Sequence, residues 1–222
     1  MSRDLHAAIV PHRRRASAAR GISHALSRGF DIAVSSCALL AISPLLLGSM
    51  LGVWLSDPGP VFFFQTRIGF DGKPFRMVKL RSMYQDAEAR KQALVAANVH
   101  GHAGVTFKMR KDPRIFWFGR IIRRFSIDEL PQFWNVLRGD MAVVGPRPAV
   151  VAEVARYTPY ERQRLLVKPG LTCYWQVRGR ADIPFDQQVG LDLDYIHERS
   201  LMADMKLLVQ TVPAVVLAKG AY

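Results

Sequence analysis

Two adjacent acidic residues, Asp128 and Glu129, follow the basic pair Arg123-Arg124 in a chain whose formal net charge is +13. A carboxylate pair in such basic surroundings can hold an anionic phosphate and a divalent cation together. An aspartate can attack phosphorus and form an acyl phosphate, while a neighbouring glutamate binds the metal or accepts a proton. The pattern therefore indicates phosphoryl chemistry, with Asp128 and Glu129 as catalytic residues and candidate metal ligands.

A purely structural interpretation competes for the same heptad, 126–132 (SIDELPQ). Ser126 and Glu129 fit a capping box, and the helix dipole favours acidic residues in a first helical turn. Pro131 also favours a first turn, where its missing N–H costs least. The heptad alone favours helix capping, and only its basic surroundings favour catalysis.

Arg147 is the second candidate, because prolines on both sides of it in 145–148 (GPRP) fix its backbone. Its planar guanidinium could bind phosphate from that rigid base, and an ordinary proline-rich turn with a solvated arginine is the alternative. A third candidate is 168–180 (KPGLTCYWQVRGR), where glycines, aromatics and basic residues could cradle a nucleotide. Tyr174 and Trp175 in that stretch are equally suited to a core.

The composition of the 222 residues is half hydrophobic and strongly basic, which favours a membrane surface. The positive charge would attract lipid headgroups, nucleotides or nucleic acid. The two cysteines, Cys37 and Cys173, lie in very different surroundings, so a reducing compartment is expected rather than a disulfide framework, and neither has C-x-x-C or metal-ligand spacing. Neither a P-loop, a dinucleotide fingerprint, a zinc-protease motif nor a nucleophile elbow occurs in the sequence, so nothing supports those classes.

The apolar stretch 30–55 predicts a membrane anchor, since its only charge is Asp31 and a bilayer needs roughly 20 apolar residues. It is too long for a signal peptide. Basic residues on both sides favour two cytoplasmic ends, and Ser43-Pro44 offers a point where the chain can turn back. The serine hydroxyl can bond a carbonyl that the proline leaves free. A re-entrant helical hairpin is therefore preferred to a kinked crossing helix.

Local patterns predict an α/β chain that is rich in helices, with one catalytic domain after the anchor. Strands are expected at 61–69 and 73–81, joined by a turn at Asp71-Gly72. Aromatic and basic residues alternate over 112–125, which is typical of a helix lying in the membrane interface. The other expected helices are an exposed one at 84–98, one ending at Arg138, and those over 149–166, 186–198 and 201–217, the last surface-lying or core-packed.

The motifs, taken in order over residues 27–222, resemble the bacterial sugar transferase family, the monotopic phosphoglycosyl transferases that begin exopolysaccharide and other glycan assembly. The resemblance rests on Ser43-Pro44, 79–83 (KLRSM), 128–132 (DELPQ), 145–148 (GPRP) and 169–172 (PGLT). It implies a re-entrant helix-break-helix at Ser43-Pro44 and a small cytoplasmic catalytic domain with interfacial amphipathic helices. The sequence departs from the family at Cys173-Tyr174, where glycine and an aliphatic residue are common.

The resemblance also implies a reaction: hexose 1-phosphate, with glucose or galactose preferred, passes from a UDP-sugar to undecaprenyl phosphate and UMP is released. Asp128 would attack the β-phosphorus and carry the phosphosugar, beside Mg²⁺ held by Glu129 with Asp128. The remaining residues implied are those that bind substrate phosphate, Arg147, Arg123 and Lys79, and one that supports the site, Asp192.

The expected layout is a basic disordered tail over 1–28, the re-entrant anchor over 29–56 and the transferase domain over 57–222. It places the protein on the cytoplasmic face of a bacterial inner membrane, with both termini cytoplasmic. The expected partners are a UDP-sugar, undecaprenyl phosphate and membrane lipids but no nucleic acid, with a homodimer as an option. Two rival hypotheses remain, a membrane-tethered nucleic-acid binder and a scaffold for polysaccharide assembly, and neither would depend on Asp128.

Overall fold

The computed structural model describes residues 17–87, 89, 112–179 and 183–217. Its first element, α1 (Ser17–Ser56), is a 40-residue helix that stays helical through Pro44. The Ser43 hydroxyl donates to the Leu40 carbonyl at 2.8 Å. An α-helical residue 44 would donate its N–H to that carbonyl, and proline has none. The predicted role of the serine is therefore confirmed.

The stretch Ala25–Ser56 within α1 is apolar and long enough to cross a membrane. Only 11% of an apolar 18-residue segment within it is buried against the rest of the protein. Leu40 near the middle is 77% exposed. The helix begins at Ser17, before the predicted boundary at residue 29, and Arg28 is already anchored: its guanidinium donates to the Val136 and Leu137 carbonyls at 2.6 Å. The tail over 1–16 lies outside the described residues.

The predicted hairpin is confirmed by β1 (Phe62–Ile68) and β2 (Pro74–Leu80), which pair antiparallel from Phe62 opposite Leu80 to Ile68 opposite Pro74. Asp71 and Gly72 adopt φ of 57° and 73°, the left-handed conformation that a tight hairpin turn requires. A short β4 (Ala149–Val150) joins the other edge of β1 at Arg67 and Ile68. A second sheet pairs β3 (Ala142–Val144) in parallel with β5 (Gly170–Thr172).

The remaining helices are short until the C-terminal third of the chain. They are α2 (Trp117–Arg124), α3 (Phe133–Arg138), α4 (Val151–Val154), α5 (Tyr174–Arg178), α6 (Phe185–Glu198) and α7 (Leu201–Leu217), with 3₁₀ turns at Phe70–Gly72, Ile127–Gln132 and Glu161–Leu166. The single helix predicted over 149–166 is wrong, because Thr158-Pro159 separates α4 from the last 3₁₀ turn and proline disfavours a helical residue before it. The helix predicted over 84–98 falls mostly outside the described residues.

Two buried apolar clusters form the core, and each contacts a different half of α1. Asp31, in the N-terminal half of α1, accepts a hydrogen bond from the Val143 N–H at 2.9 Å, beside the larger cluster (Met77, Val136, Met141, Val143, Val144, Tyr195 and Leu207). Val53, in the C-terminal half, belongs to the smaller cluster with Leu80, Phe116 and Ile122. Both halves of α1 therefore pack on the same body.

Two outer helix faces remain apolar and exposed. On α2 the exposed large apolar residues are Trp117, Ile121 and, at the cap, Phe125, which recur every four positions along one side. On α7 the buried Leu207 packs into the core while Val209 and Val212 are exposed. Of the two alternatives for the last helix, surface-lying or core-packed, the buried Leu207 confirms the core-packed one, and seating of α2 in a membrane interface stays a prediction.

Candidate active site

Asparagine 135 sets the distance between the two elements that carry most of the site, β2 and the 3₁₀ turn Ile127–Gln132. Its side-chain carbonyl accepts from the Val78 N–H at 3.0 Å, and its amide donates to the Arg76 carbonyl at 2.8 Å. These bonds imitate a strand pairing along β2. They fix the start of α3, and the 3₁₀ turn that precedes it, against the strand that carries Lys79.

The 3₁₀ turn has no capping box, so that part of the structural interpretation of the heptad is wrong, although Asp128 and Glu129 do lie in a first helical turn. Ser126 has a left-handed backbone with φ of 56° and makes no side-chain cap. The Glu129 side chain points away from it, to two cations. Lys79 Nζ donates to Glu129 Oε1 at 2.8 Å, and Arg147 Nη2 donates to the same oxygen at 3.0 Å. Charge-assisted bonds from two partly buried cations outweigh a single cap.

Glu129 is therefore the junction of the site. Burial by itself would raise the pKa of its carboxyl, but the nearby charges of Arg147 and Lys79 hold that pKa well below its usual range. The same burial lowers the pKa of Lys79. At neutral pH the centre is a carboxylate shared by two cations, joining β2, the 3₁₀ turn and the loop between β3 and β4.

Asp128 lies beside this junction in a different electrostatic environment. The residue is only 7% exposed, and burial raises the pKa of its carboxyl to about 6 although Lys79 pulls it down. The charge of Arg123 lowers it further, whereas neighbouring Glu129 raises it. Two adjacent carboxyls thus have pKa values that are pushed apart, an arrangement typical of groups with separate chemical roles. The Asp128 carboxyl therefore still ionises below neutral pH, and an ionised carboxylate has the chemistry needed to attack phosphorus.

The structure brings five of the predicted residues together: Asp128, Glu129, Lys79, Arg147 and Arg123. Asp192 lies apart from them, fully buried, and its Oδ2 accepts from Arg164 Nη2 at 2.6 Å. Burial raises the pKa of Asp192 to about 6 even with this partner, while the Trp175 side chain lowers it. The Arg147 guanidinium carbon lies 6.0 Å from the centre of the Trp175 ring. The hydrogen bonds of Asp192 thus go to Arg164 and not to the carboxylate pair, and its role in supporting the site stays a prediction.

Sequence reasoning missed Arg67 and Arg164. Arg164 falls within the helix predicted over 149–166, which Pro159 interrupts, and no neighbouring residue indicates that Arg164 pairs with Asp192. Arg67 follows Gln65 by two positions on β1, a spacing that puts both side chains on one face of a strand. The spacing could have predicted the contact between Gln65 and Arg67, but not the contact of Arg67 with the Pro148 carbonyl, 81 residues away.

The carboxylate pair also fits the binding of Mg²⁺. Magnesium is commonly held by one or two carboxylates and completed by substrate phosphates and water rather than by an all-protein cage. Asp128 and Glu129 supply two such groups. Across residues 17–87, 89, 112–179 and 183–217, no cluster of three His, Cys, Asp or Glu side chains is placed to hold a metal. The donor set therefore suits a magnesium ion that arrives with a diphosphate.

Comparison with known proteins gives a consistent result along nearly the whole chain. The description of the bacterial sugar transferase family matches residues 22–218. The exopolysaccharide production protein ExoY of Sinorhizobium fredii (strain NBRC 101917 / NGR234) is 38% identical over 207 residues, which cover 92% of both chains.

Two longer relatives carry names that state a reaction. The undecaprenyl-phosphate galactose phosphotransferase of Salmonella typhimurium is 40% identical over 92% of this chain. The UDP-glucose:undecaprenyl-phosphate glucose-1-phosphate transferase of Escherichia coli K12 is 40% identical over 91% of it. The matches cover only 43% and 42% of those two proteins, so this chain spans about two fifths of their length.

Proposed function

Because this chain belongs to the bacterial sugar transferase family, we propose that it transfers hexose 1-phosphate from a UDP-sugar to undecaprenyl phosphate and releases UMP. The names of the longer relatives support glucose or galactose as the sugar. The observation that carries the proposal is the buried Asp128 carboxyl beside Glu129, which Lys79 and Arg147 both contact.

The first step of the proposed reaction joins the protein to the phosphosugar. A carboxylate oxygen of Asp128 forms a bond to the β-phosphorus of the UDP-sugar, and the bond from that phosphorus to the bridging oxygen breaks. UMP leaves with the bridging oxygen. Carboxylate and diphosphate repel each other, so attack requires that cations offset the charge. Lys79, Arg123 and Arg147 supply three cations around the point of attack.

The second step returns the carboxylate to its starting state. An oxygen of undecaprenyl phosphate attacks the phosphorus of the aspartyl phosphosugar, and the bond between that phosphorus and Asp128 breaks. The product is undecaprenyl diphosphate hexose. Glu129, with Asp128, would hold Mg²⁺, which when bound offsets diphosphate charge and polarises the reacting phosphoryl group.

The proposed seat of the protein is one leaflet of the membrane, with α1 entering and leaving from the cytoplasmic face. In a straight α-helix Asp31 and Val53 would be about 33 Å apart, close to the thickness of the hydrocarbon core. A helix that crossed the bilayer would carry one of these ends to the far side. Both ends instead pack on the same body, which supports a path that enters and leaves on one side of the membrane.

The test is incubation of the purified protein, in nanodiscs, with UDP-galactose or UDP-glucose, Mg²⁺ and undecaprenyl phosphate. UMP and the lipid-linked sugar diphosphate should form in equal amounts. Without the lipid, intact-protein mass spectrometry should find a hexose phosphate adduct that maps to Asp128 and is absent from Asp128→Asn. UMP release by Asp128→Asn at the parent rate would exclude the covalent route.

A further inference from the structure

All three guanidinium nitrogens of Arg67, on strand β1, donate hydrogen bonds within the protein. Its Nε and Nη2 donate to Gln65 Oε1 at 3.0 and 2.7 Å, so the guanidinium is fixed in a fork around one oxygen. Its remaining nitrogen, Nη1, donates to the Pro148 carbonyl at 2.9 Å. One side chain thus ties β1 to the loop that carries Arg147.

The loop 145–148 is also held by two backbone hydrogen bonds: the Gly145 N–H donates to the Thr172 carbonyl at 3.0 Å, and the Gly170 N–H donates to the Pro146 carbonyl at 2.9 Å. At one end Gly145 packs so closely on Gly170 that a Cβ on Gly170 would lie 2.0 Å from the Gly145 nitrogen. At the other end β4 pairs with β1 at Arg67 and Ile68. The Arg67 side chain adds a contact to Pro148, the residue after Arg147, so that hydrogen bonds hold the carbonyls of both prolines beside Arg147.

The electrostatics show that Arg67 and Arg147 are neighbours as well as linked. Burial lowers the pKa of Arg67 to about 10, and the charge of Arg147 lowers it further, while Glu153 and Glu129 act in the opposite direction. Arg147 is attracted to the Glu129 carboxylate, which it contacts at 3.0 Å, and is repelled by the charge of Arg67. Arg67 therefore biases the direction in which Arg147 points.

We propose that Arg67, fixed by Gln65, is a positioning residue of the transferase reaction: it holds the Pro148 carbonyl and keeps Arg147 directed at Glu129 and the substrate phosphate. The inference rests on the proposed function. Small displacements of a substrate-binding group can cost on the order of 100-fold in rate, so loss of the fork should be felt in catalysis.

Four single variants in nanodiscs test the contact. Gln65→Leu removes the oxygen acceptor, and Arg67→Gln removes the cation; each should lower kcat/KM for the UDP-sugar by about tenfold or more, within the range expected for misplacement. Gln65→Glu keeps an oxygen acceptor for Arg67 and should therefore retain most of the parent activity. Arg76→Gln, an exposed arginine on the paired strand β2, is the matched control and should retain parent activity.

A double-mutant cycle separates positioning from folding. If Arg67 acts through Arg147, Arg67→Gln should cost no more than about twofold in the Arg147→Gln background, because coupled residues are not additive. Equal losses in both backgrounds, or a loss that only follows a lower Tm, would overturn the proposal. The same cycle measured on UDP-glucose affinity covers the case in which the Arg147→Gln rate is too low to follow.

The two proposals fail differently. A parent protein that releases no UMP with any UDP-hexose would overturn the proposed function. A fully active parent whose Arg67→Gln and Gln65→Leu variants are also fully active would overturn only the role of Arg67.

Discussion

Lys79 and Glu129 lie 50 residues apart in the sequence, yet Lys79 Nζ is 2.8 Å from Glu129 Oε1. The strand β2 and the 3₁₀ turn therefore deliver one cation and one carboxylate to a single point. Arg147 completes the contact from a third element. The site exists only when these three pieces of chain are packed together.

Replacing Lys79 by methionine should lower kcat by about 100-fold, the loss typical of removing one charge-stabilising donor from an active site. The methionine keeps the apolar length of the side chain and removes the charge that Glu129 and Asp128 face. UMP release from UDP-glucose measures the effect. Lys73→Met, at the exposed turn of the same hairpin, is the control and should match the parent. Full activity in Lys79→Met would remove Lys79 from the site.

Asp128→Asn should make the metal-free protein more stable while it abolishes the reaction. The pKa of the Asp128 carboxyl is raised from 3.8 to about 6 by burial, so its ionised form is disfavoured in the folded state. The resulting cost is absent below about pH 4, grows as pH rises towards 6 and is complete above it. A shift of this size corresponds to the order of 2–3 kcal/mol at pH 8.

Thermal unfolding in EDTA at pH 4 and pH 8 checks this sign. The Tm of Asp128→Asn should exceed that of the parent at pH 8, and the difference should vanish at pH 4. Asp71→Asn, at the exposed hairpin turn, is the matched control. A parent that is more stable than the variant at pH 8 would contradict the assigned environment of Asp128.

Local sequence patterns were sufficient to predict the elements whose conformation depends on neighbouring residues alone. Asp71-Gly72 predicted the hairpin because a turn with two positive φ values needs such residues. Ser43-Pro44 predicted a hydroxyl bonded to a carbonyl, and the structure has that bond to Leu40. The sequence also predicted that Lys79, Glu129 and Arg147 belong to one site, and the structure brings these three side chains into contact.

Contacts between distant residues could not be predicted in this way. The capping box failed because Glu129 is claimed by Lys79 and Arg147, which the sequence places far away. Arg164 and Asp192 are 28 residues apart, and their pairing follows from how α6 packs on a 3₁₀ turn. Tertiary packing decided these partners, so periodicity and composition carried no information about them.

Removing Arg164 should destabilise the protein by about 3–5 kcal/mol at pH 8, because it leaves the fully buried Asp192 carboxylate without its cation. Arg164→Leu therefore should unfold at a much lower temperature than the parent. The double variant Arg164→Leu with Asp192→Leu should recover much of the loss, since no unpaired charge remains. Arg162→Leu, an exposed neighbour, is the control. An unchanged Tm in Arg164→Leu would contradict the buried pair.

The pair Ser43-Pro44 should decide on which side of the membrane the chain's N-terminal residues lie. With Cys37 and Cys173 replaced by serine, single cysteines at Ser2 and Asp71 report the two flanks of α1. A membrane-impermeant maleimide should label both in inverted vesicles and neither in intact spheroplasts, since a re-entrant helix keeps both flanks cytoplasmic.

Replacing both residues by alanine returns an N–H to position 44, so the Leu40 carbonyl regains its helical partner and the proposed turn is no longer favoured. The apolar part of α1 is long enough to cross the bilayer. A fraction of the Ser2→Cys reporters should then be labelled from outside the spheroplast. Ser56→Ala removes a similar hydroxyl bond, to the Gly52 carbonyl, with no proline beside it, and should leave the labelling unchanged. Labelling of Ser2→Cys from outside when Ser43 and Pro44 are intact would mean that α1 crosses the membrane.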